Sequence, residues 1–164
     1  MSNSGAPSAQ RYASGAKSMA RKLAMQALYR WQMNDAPWQD LVSEFATEEG
    51  MDRADGEYFR ELVQGVHDMR ETLDAELATY MDRSPGILDP IEHAVLLIGT
   101  FELKSRPEIP FRVVINEGIS LAKRFGATGR PQVRQRRAGP RRADVAPRRA
   151  LVHGKKVACG AFFG

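Results

Sequence analysis

The chain has 164 residues, enough for one domain of ordinary size with its own core, and it carries 24 basic and 20 acidic residues. Its single cysteine, Cys159, excludes a disulfide framework and favours a reducing compartment. No apolar run approaches the roughly 18 residues that a membrane span requires, and the N-terminus lacks the apolar stretch of a secretory signal, so we expect a cytoplasmic protein.

The charge is distributed unevenly along the chain. Residues 129–164 hold ten of the basic residues and one of the acidic ones, which leaves 14 basic and 19 acidic residues in 1–128. Residues 1–30 carry five basic residues and no acidic one. The sequence therefore predicts a mostly acidic domain with one basic end, a polarity that can influence the choice of partners.

The N-terminal part predicts an arm followed by two helices. Residues 1–16 are small and polar and predict an unfolded arm. From Lys17 to Met33 the apolar residues recur with the spacing of one helix face. This stripe consists of Leu23, Ala24, Ala27, Leu28 and Trp31. A short second helix is predicted directly after Pro37.

The middle of the chain predicts a long helical stretch that begins near Arg53 and keeps its period as far as Met81. The apolar stripe thins around Met69–Glu71, where we expect a kink or a break. The turn sequence at 84–86 ends this stretch.

Two further helices complete the predicted domain. Asp89 at the N-cap and Glu92 at the third helical position open a helix over about Pro90–Lys104. Because this helix is apolar on nearly every side, we expect it to be the central one. The last helix is predicted over Phe111–Phe125, with Gly126 as its C-cap. No segment alternates with the period of a strand, so the predicted fold class is all-α.

After Thr128 the helical patterns stop. Residues 129–150 contain eight arginines, three prolines and only two large aliphatic residues. Such a segment cannot bury enough apolar surface to offset its ordering entropy. We therefore divide the chain into an arm (1–16), a helical domain (17–128) and an Arg/Pro/Gly-rich tail (129–164) that is predicted to be disordered.

The first helix carries the most suggestive candidate site. On a helical projection, seven residues lie on or beside the face opposite the apolar stripe. They are Ser18, Arg21, Lys22, Met25, Gln26, Tyr29 and Arg30. Cations that hold phosphates beside an aromatic ring that stacks on an unpaired base are typical of single-stranded RNA binding. The alternative is a solvated helix face with one surface tyrosine.

Glu92 and the three histidines allow simpler explanations. Glu92 can contact a partner at the start of the central helix, or it can close a capping box with Asp89. His67, His93 and His153 do not have the spacing of a metal site, and we interpret them as structural. The sequence contains no nucleophile elbow, Walker loop or dinucleotide fingerprint, so it predicts a binding protein without catalytic residues, cofactor or metal.

Three segments resemble the family of the bacterial transcription antitermination factor NusB. They are ARKLAMQALYRWQ (20–32), PIEHAVLLI followed by FEL (90–103), and IPFRVVINEG continuing to AKRFGA (109–127). Each segment is ordinary by itself, but in this order they are specific. The similarity covers about 17–128 without large gaps.

The resemblance implies an all-α fold of two small helical bundles. It also implies pairing with the ribosomal protein NusE, binding of single-stranded boxA-type RNA, and a place in the RNA polymerase antitermination complex of ribosomal RNA operons. The family's basic cluster and RNA-contacting tyrosine correspond to Lys17, Arg21 and Tyr29. Its partner-facing glutamate corresponds to Glu92. Relatives often carry arginine at positions 18 and 19, so the cluster is thinner here and we expect Lys22 to compensate.

The resemblance ends abruptly at Gly129, where relatives continue with a last helix similar to HKFVNGVLDR. Codons for residues 129–142 can be chosen so that omitting the first base yields AAHKFVNGVLDR. We therefore hypothesise that residues 129–164 are an out-of-frame translation of that helix, which leaves the final helix missing or replaced by a basic tail. The apolar stripe of Phe111–Phe125 is then expected to be partly uncovered. The codons of the gene test this hypothesis.

Two alternatives stay open. Similar helical domains precede the catalytic domain in some ribosomal RNA methyltransferases, so one alternative is an RNA-modifying enzyme or a helical RNA- or protein-binding module related to that domain. A helical adaptor that binds only proteins is the other alternative. A methyl-transfer assay tests the first, and a measurement of RNA affinity tests the second.

Overall fold

The computed structural model describes residues 6–126, with side chains from residue 14 onward. Within this range the chain is helical, with no strand, which confirms the predicted all-α fold class. The six α-helices are α1 (Ala6–Asn34), α2 (Trp38–Phe45), α3 (Gly56–Asp68), α4 (Arg70–Ala78), α5 (Pro90–Ser105) and α6 (Phe111–Phe125). Short 3-10 turns at Met51–Arg53 and Pro85–Ile87 lie in the connections.

Helix α1 begins at Ala6, earlier than predicted. The prediction of an unfolded arm is therefore wrong for residues 6–16, whereas residues 1–5 lie outside the described range. Its early residues include several alanines, which favour helix, and its one proline falls in the first turn, where a missing backbone N–H costs little. The backbone N–H of Asp55 donates to the carbonyl oxygen of Ala16 at 3.0 Å, which ties this part of α1 to the start of α3.

Helix α1 is covered on more than one side, because it contacts α2, α3 and α5. Buried residues therefore occur on its predicted apolar stripe and also on the face opposite to it. They are Ala20, Arg21, Leu23, Ala24, Met25, Ala27 and Leu28. The projection placed Met25 on the exposed face, and this placement is wrong. A projection identifies the residues that share a face, but it does not show how many faces other helices cover.

Helix α5 is the central helix, as its composition predicts. It contacts α1, α3, α4 and α6, and its residues from His93 to Gly99 are all buried. Helix α3 crosses it so closely that a Cβ atom at Gly65 would collide with the ring of Phe101. The absence of a side chain at this position therefore allows the two helices to meet.

The predicted helix boundaries agree with the structure in the middle of the chain. The expected break lies at Met69, which ends α3 and precedes α4 with φ −104° and ψ 10°. Asp89 caps α5, because its carboxylate accepts a hydrogen bond from the backbone N–H of Ile91 at 3.0 Å. Gly126 follows α6 as its C-cap, and its N–H donates to the carbonyl oxygen of Ala122 at 2.8 Å.

The helices form two groups, as the resemblance implies. Helices α1, α2 and α3 contact one another, and α5 contacts both α4 and α6. The two groups meet where α1 and α3 pack against α5. The predicted tail at 129–164 and its proposed origin lie outside the described residues, so both stay predictions.

Candidate nucleic-acid interface

Arg21 is part of the core and not of the surface. Its side chain is only 3% exposed, and it forms a two-pronged ion pair with Glu102 of α5, with N–O distances of 2.9 Å and 2.8 Å to one carboxylate oxygen. The hydroxyl of Tyr58 on α3 donates to the same carboxylate. The prediction that Arg21 contacts RNA is therefore corrected, because its guanidinium is already bound and is shielded from solvent.

Two members of this buried cluster, Arg21 and Tyr58, have raised pKa values. Burial lowers the pKa of Arg21, but the hydrogen bond and the negative charge of Glu102 outweigh burial and raise it overall. Burial, followed by the hydrogen bond and charge of Glu102, raises the pKa of Tyr58 far above its ordinary value. Arg21 is thus charged and Tyr58 neutral over the physiological range, and three helices are joined at this point.

A second polar contact connects α1 to α6. The hydroxyl of Ser18 donates to Glu117 Oε1 at 2.7 Å, and Arg21 lies 4.0 Å from the other oxygen of that carboxylate. Ser18 occupies a position on the predicted binding face. Its hydroxyl is engaged within the protein, so this part of the face contributes to helix packing.

Lys17 and Lys22 are half-buried and flank this cluster. The ammonium of Lys17 lies 4.5 Å from the ring centroid of Tyr58, and that of Lys22 lies 6.0 Å from the ring centroid of Phe125. Neither lysine forms an ion pair with another residue in the described part of the chain. Both ammonium groups therefore keep their capacity to bind a phosphate.

Tyr29 lines a cavity of about 280 Å³ at the junction of four helices. Residues from α1, α2, α5 and α6 and from the α2–α3 connection contribute to its wall. They are Met25, Gln26, Tyr29, Arg30, Phe45, Glu48, Ile91 and Phe125. No local pattern indicates this cavity, since Phe45 and Phe125 follow the apolar stripes of their own helices. Only the packing of the helices brings these residues together.

Arg30 is fixed at the rim of this cavity. It forms an ion pair with Glu44 of α2, and its guanidinium carbon lies 5.0 Å from the ring centroid of Phe45. The side chain is still 41% exposed, so its remaining N–H donors face solvent. A cation is thus held at the rim of the cavity that Tyr29 also lines.

Glu92 does not form the predicted capping box. Asp89 caps α5 through Ile91, and no hydrogen bond joins Glu92 to the backbone of Asp89. The half-buried carboxylate of Glu92 instead lies beside Gly126, where an added Cβ atom would be 3.4 Å from Glu92 Oε1. It has no ion-pair or hydrogen-bond partner within the described range. The capping explanation is therefore wrong, and the partner contact stays a prediction.

The sequence matches the model of the NusB family over residues 18–133. The chain belongs to the NusB family. It is 44% identical over 127 residues to the transcription antitermination protein NusB of Alcanivorax borkumensis, covering 77% of this chain and 80% of that protein. It is 46% identical over 111 residues to that of Legionella pneumophila strain Corby (68% and 76% covered) and 46% identical over 112 residues to that of Idiomarina loihiensis (68% and 81% covered).

The described histidines of this NusB-family chain have structural partners. His93 is buried, with Nε2 2.6 Å from Asp74 Oδ1 and Nδ1 3.1 Å from Gln32 Oε1. His67 lies 3.1 Å from a carboxylate oxygen of Asp68, and His153 lies outside the described residues. Residues 14–126 contain no group of histidine, cysteine and acidic side chains that could hold a metal ion. None of the described helices is long and apolar enough to cross a bilayer.

Proposed function

We propose that this chain is a transcription antitermination factor that binds single-stranded boxA-type RNA together with NusE, as part of an RNA polymerase antitermination complex in the cytoplasm. Membership of the NusB family supports the proposal, as do relatives that are transcription antitermination proteins. The mechanism is binding without catalysis.

The observation that carries the RNA part of the proposal is the position of Tyr29. Its ring lines an open cavity, and the cationic side chains of Lys22 and Arg30 belong to the same helix. An accessible ring offers a stacking platform to a splayed base, and nearby cations neutralise the phosphates on either side. Lys17 extends the cationic edge toward the N-terminus.

Arg21 has a different role in this proposal. Its ion pair with Glu102 fixes the rotation of α1 about its axis, and thereby the position of Tyr29 at the cavity and of Lys22 beside Phe125. Arg21 therefore positions the RNA-binding residues and does not touch the RNA.

Glu92 is proposed to contact NusE. An unpaired, half-buried carboxylate at the start of the central helix is available to a donor from a second protein. A basic or hydroxyl side chain of NusE would complete this contact. Glu92→Gln should therefore weaken NusE pairing and leave the affinity for RNA alone unchanged.

The test of the RNA proposal is binding of boxA RNA and a scrambled control, with and without NusE, at two salt concentrations. Tyr29→Ala is expected to weaken boxA binding by about 5- to 150-fold, which corresponds to the loss of one stacked base. Tyr80→Ala is the matched control, because Tyr80 is an exposed tyrosine (45%) far along the chain that does not line the cavity. Equal losses in the two variants would contradict the proposal.

The basic tail requires its own control. Its ten cations add binding to any nucleic acid that weakens as salt rises. Removal of residues 129–164 should therefore lower the affinity for boxA and scrambled RNA by the same factor. A selective loss of boxA binding would show that the tail reads the sequence.

A further inference from the structure

The cavity beside Tyr29 combines an apolar floor with a polar rim. Met25 and Phe45 are almost fully buried beneath it, and Ile91 and Phe125 are partly buried. Its volume of about 280 Å³ is close to the lower limit of roughly 300 Å³ for small-molecule pockets. A site of this size suits one flat heterocycle, since a longer stretch of nucleic acid would need a groove.

Three polar groups at the rim have no partner in the described part of the protein. They are the amide of Gln26, the hydroxyl of Tyr29 and the carboxylate of Glu48. Comparable groups nearby are bonded: Gln32 binds both His93 and the carbonyl of Pro90, and Glu44 binds Arg30. A few unpaired polar groups around an apolar floor are the usual composition of a ligand site.

Glu48 distinguishes this site from a surface that only follows a phosphate backbone. An ionised carboxylate accepts hydrogen bonds and cannot donate them, and it repels phosphate. In an RNA site it therefore gains most from the amino group of a base, as glutamate does with the N4 amino group of cytosine. Uracil presents carbonyl oxygens on both sides of its single N–H, so it meets the carboxylate less favourably.

We propose that this cavity holds one nucleobase of the bound RNA, with its face on Tyr29, and that Glu48 selects a base that carries an exocyclic amino group. The inference rests on the proposed RNA-binding function and adds to it the residue that reads the base. Gln26 donates to or accepts from the same base edge, because its amide offers both groups. Arg30, held by Glu44, stays at the rim for the neighbouring phosphate.

The test measures the affinity of the full chain for three short single-stranded RNAs at one salt concentration. One is oligouridylate, and the other two contain a single central cytidine or a single central adenosine. The unmodified chain is expected to prefer at least one of the amino-bearing RNAs about fivefold to tenfold. Since the basic tail binds all three equally, the ratio of affinities reports the cavity.

The variant Glu48→Gln is expected to reduce this preference to less than about twofold, because glutamine both donates and accepts. Glu49→Gln is the matched control: it removes the same charge from the adjacent exposed residue, which does not line the cavity. The preference should persist in Glu49→Gln. Thermal unfolding should be unchanged in both variants, since both positions are exposed.

The outcomes separate the two proposals. Suppose that the chain binds all three RNAs and loses affinity with Tyr29→Ala. The role of Glu48 alone would then be overturned if the chain shows no base preference, or if the preference persists in Glu48→Gln. A chain whose RNA affinity is indifferent to Tyr29 would overturn the RNA interface and the base site together.

Discussion

Tyr58 and Tyr29 have opposite environments in the fold, although cationic residues belong to both sites. Tyr58 is 2% exposed, and its hydroxyl is bound to Glu102, with Lys17, Arg21 and Arg106 around its ring. Tyr29 is half-buried at an open cavity, and its hydroxyl has no partner in the described range. A cation near an aromatic ring therefore indicates a binding site only where hydrogen-bonding groups of the site remain without a partner.

The strongest test of the buried cluster is Glu102→Ala. It leaves the guanidinium of Arg21 buried without its counter-charge, which should lower the free energy of unfolding by about 3–5 kcal/mol. Urea denaturation followed by circular dichroism measures this change. Adding Arg21→Met in the same chain should recover part of the loss, because it removes the unpaired charge. If the Glu102→Ala variant is as stable as the unmodified chain, the cluster does not hold the helices together.

Removal of the hydroxyl group from each tyrosine in turn distinguishes the two sites. Tyr58→Phe should lower the free energy of unfolding by about 1.5–3 kcal/mol, since it removes a hydrogen bond to a charged group. Tyr29→Phe should leave stability within about 0.5 kcal/mol, because no described residue binds its hydroxyl. RNA affinity, measured on the folded fraction, should not change with Tyr58→Phe. A loss of stability with Tyr29→Phe as large as that with Tyr58→Phe would remove the distinction between the two sites.

The raised pKa of Tyr58 predicts a dependence of stability on alkaline pH. Its neutral form is favoured by folding, so this contribution is complete below the ordinary tyrosine pKa of 10.0 and declines as pH rises above it. Denaturation series between pH 8 and pH 11 (roughly one unit above the free phenol) measure the decline. Tyr58→Phe should make the curve flatter at its upper end, and an unchanged slope would contradict the assignment.

The smallest expected effect belongs to Lys22. Lys22→Gln should weaken RNA binding slightly and uniformly across sequences, and it should lower the slope of log affinity against log salt by about 0.7, the value for one phosphate contact on a single strand. Titrations at four salt concentrations measure the slope. Lys104→Gln is the control, because Lys104 is already paired with Glu76 at 2.7 Å. The same slope change in both variants would argue against a specific contact by Lys22.

Several helix boundaries were predictable because their signals are local. The apolar period places α6 at Phe111–Phe125, Asp89 with the following proline sets the start of α5, and the thinning stripe locates the break at Met69. The N-terminal start of α1 was missed because polar, alanine-rich sequence has no apolar stripe, although it favours helix.

The candidate site was less predictable. Lys17, Lys22 and Tyr29 are half-buried, whereas Arg21 is buried in an ion pair with a residue 81 positions away. Two residues so far apart in the sequence form no local pattern, so only the packing of the helices reveals this ion pair.

The sequence by itself determined most of the helical residues, the ends of most helices and which residues share a face, because hydrogen bonding and apolar period act within a few residues. The tertiary structure alone decided that α1 is covered on more than one side, that Arg21 belongs to the core, and that Tyr29 and Glu48 border one cavity. Those outcomes depend on which helices meet, and that choice is made by contacts between residues far apart in the chain.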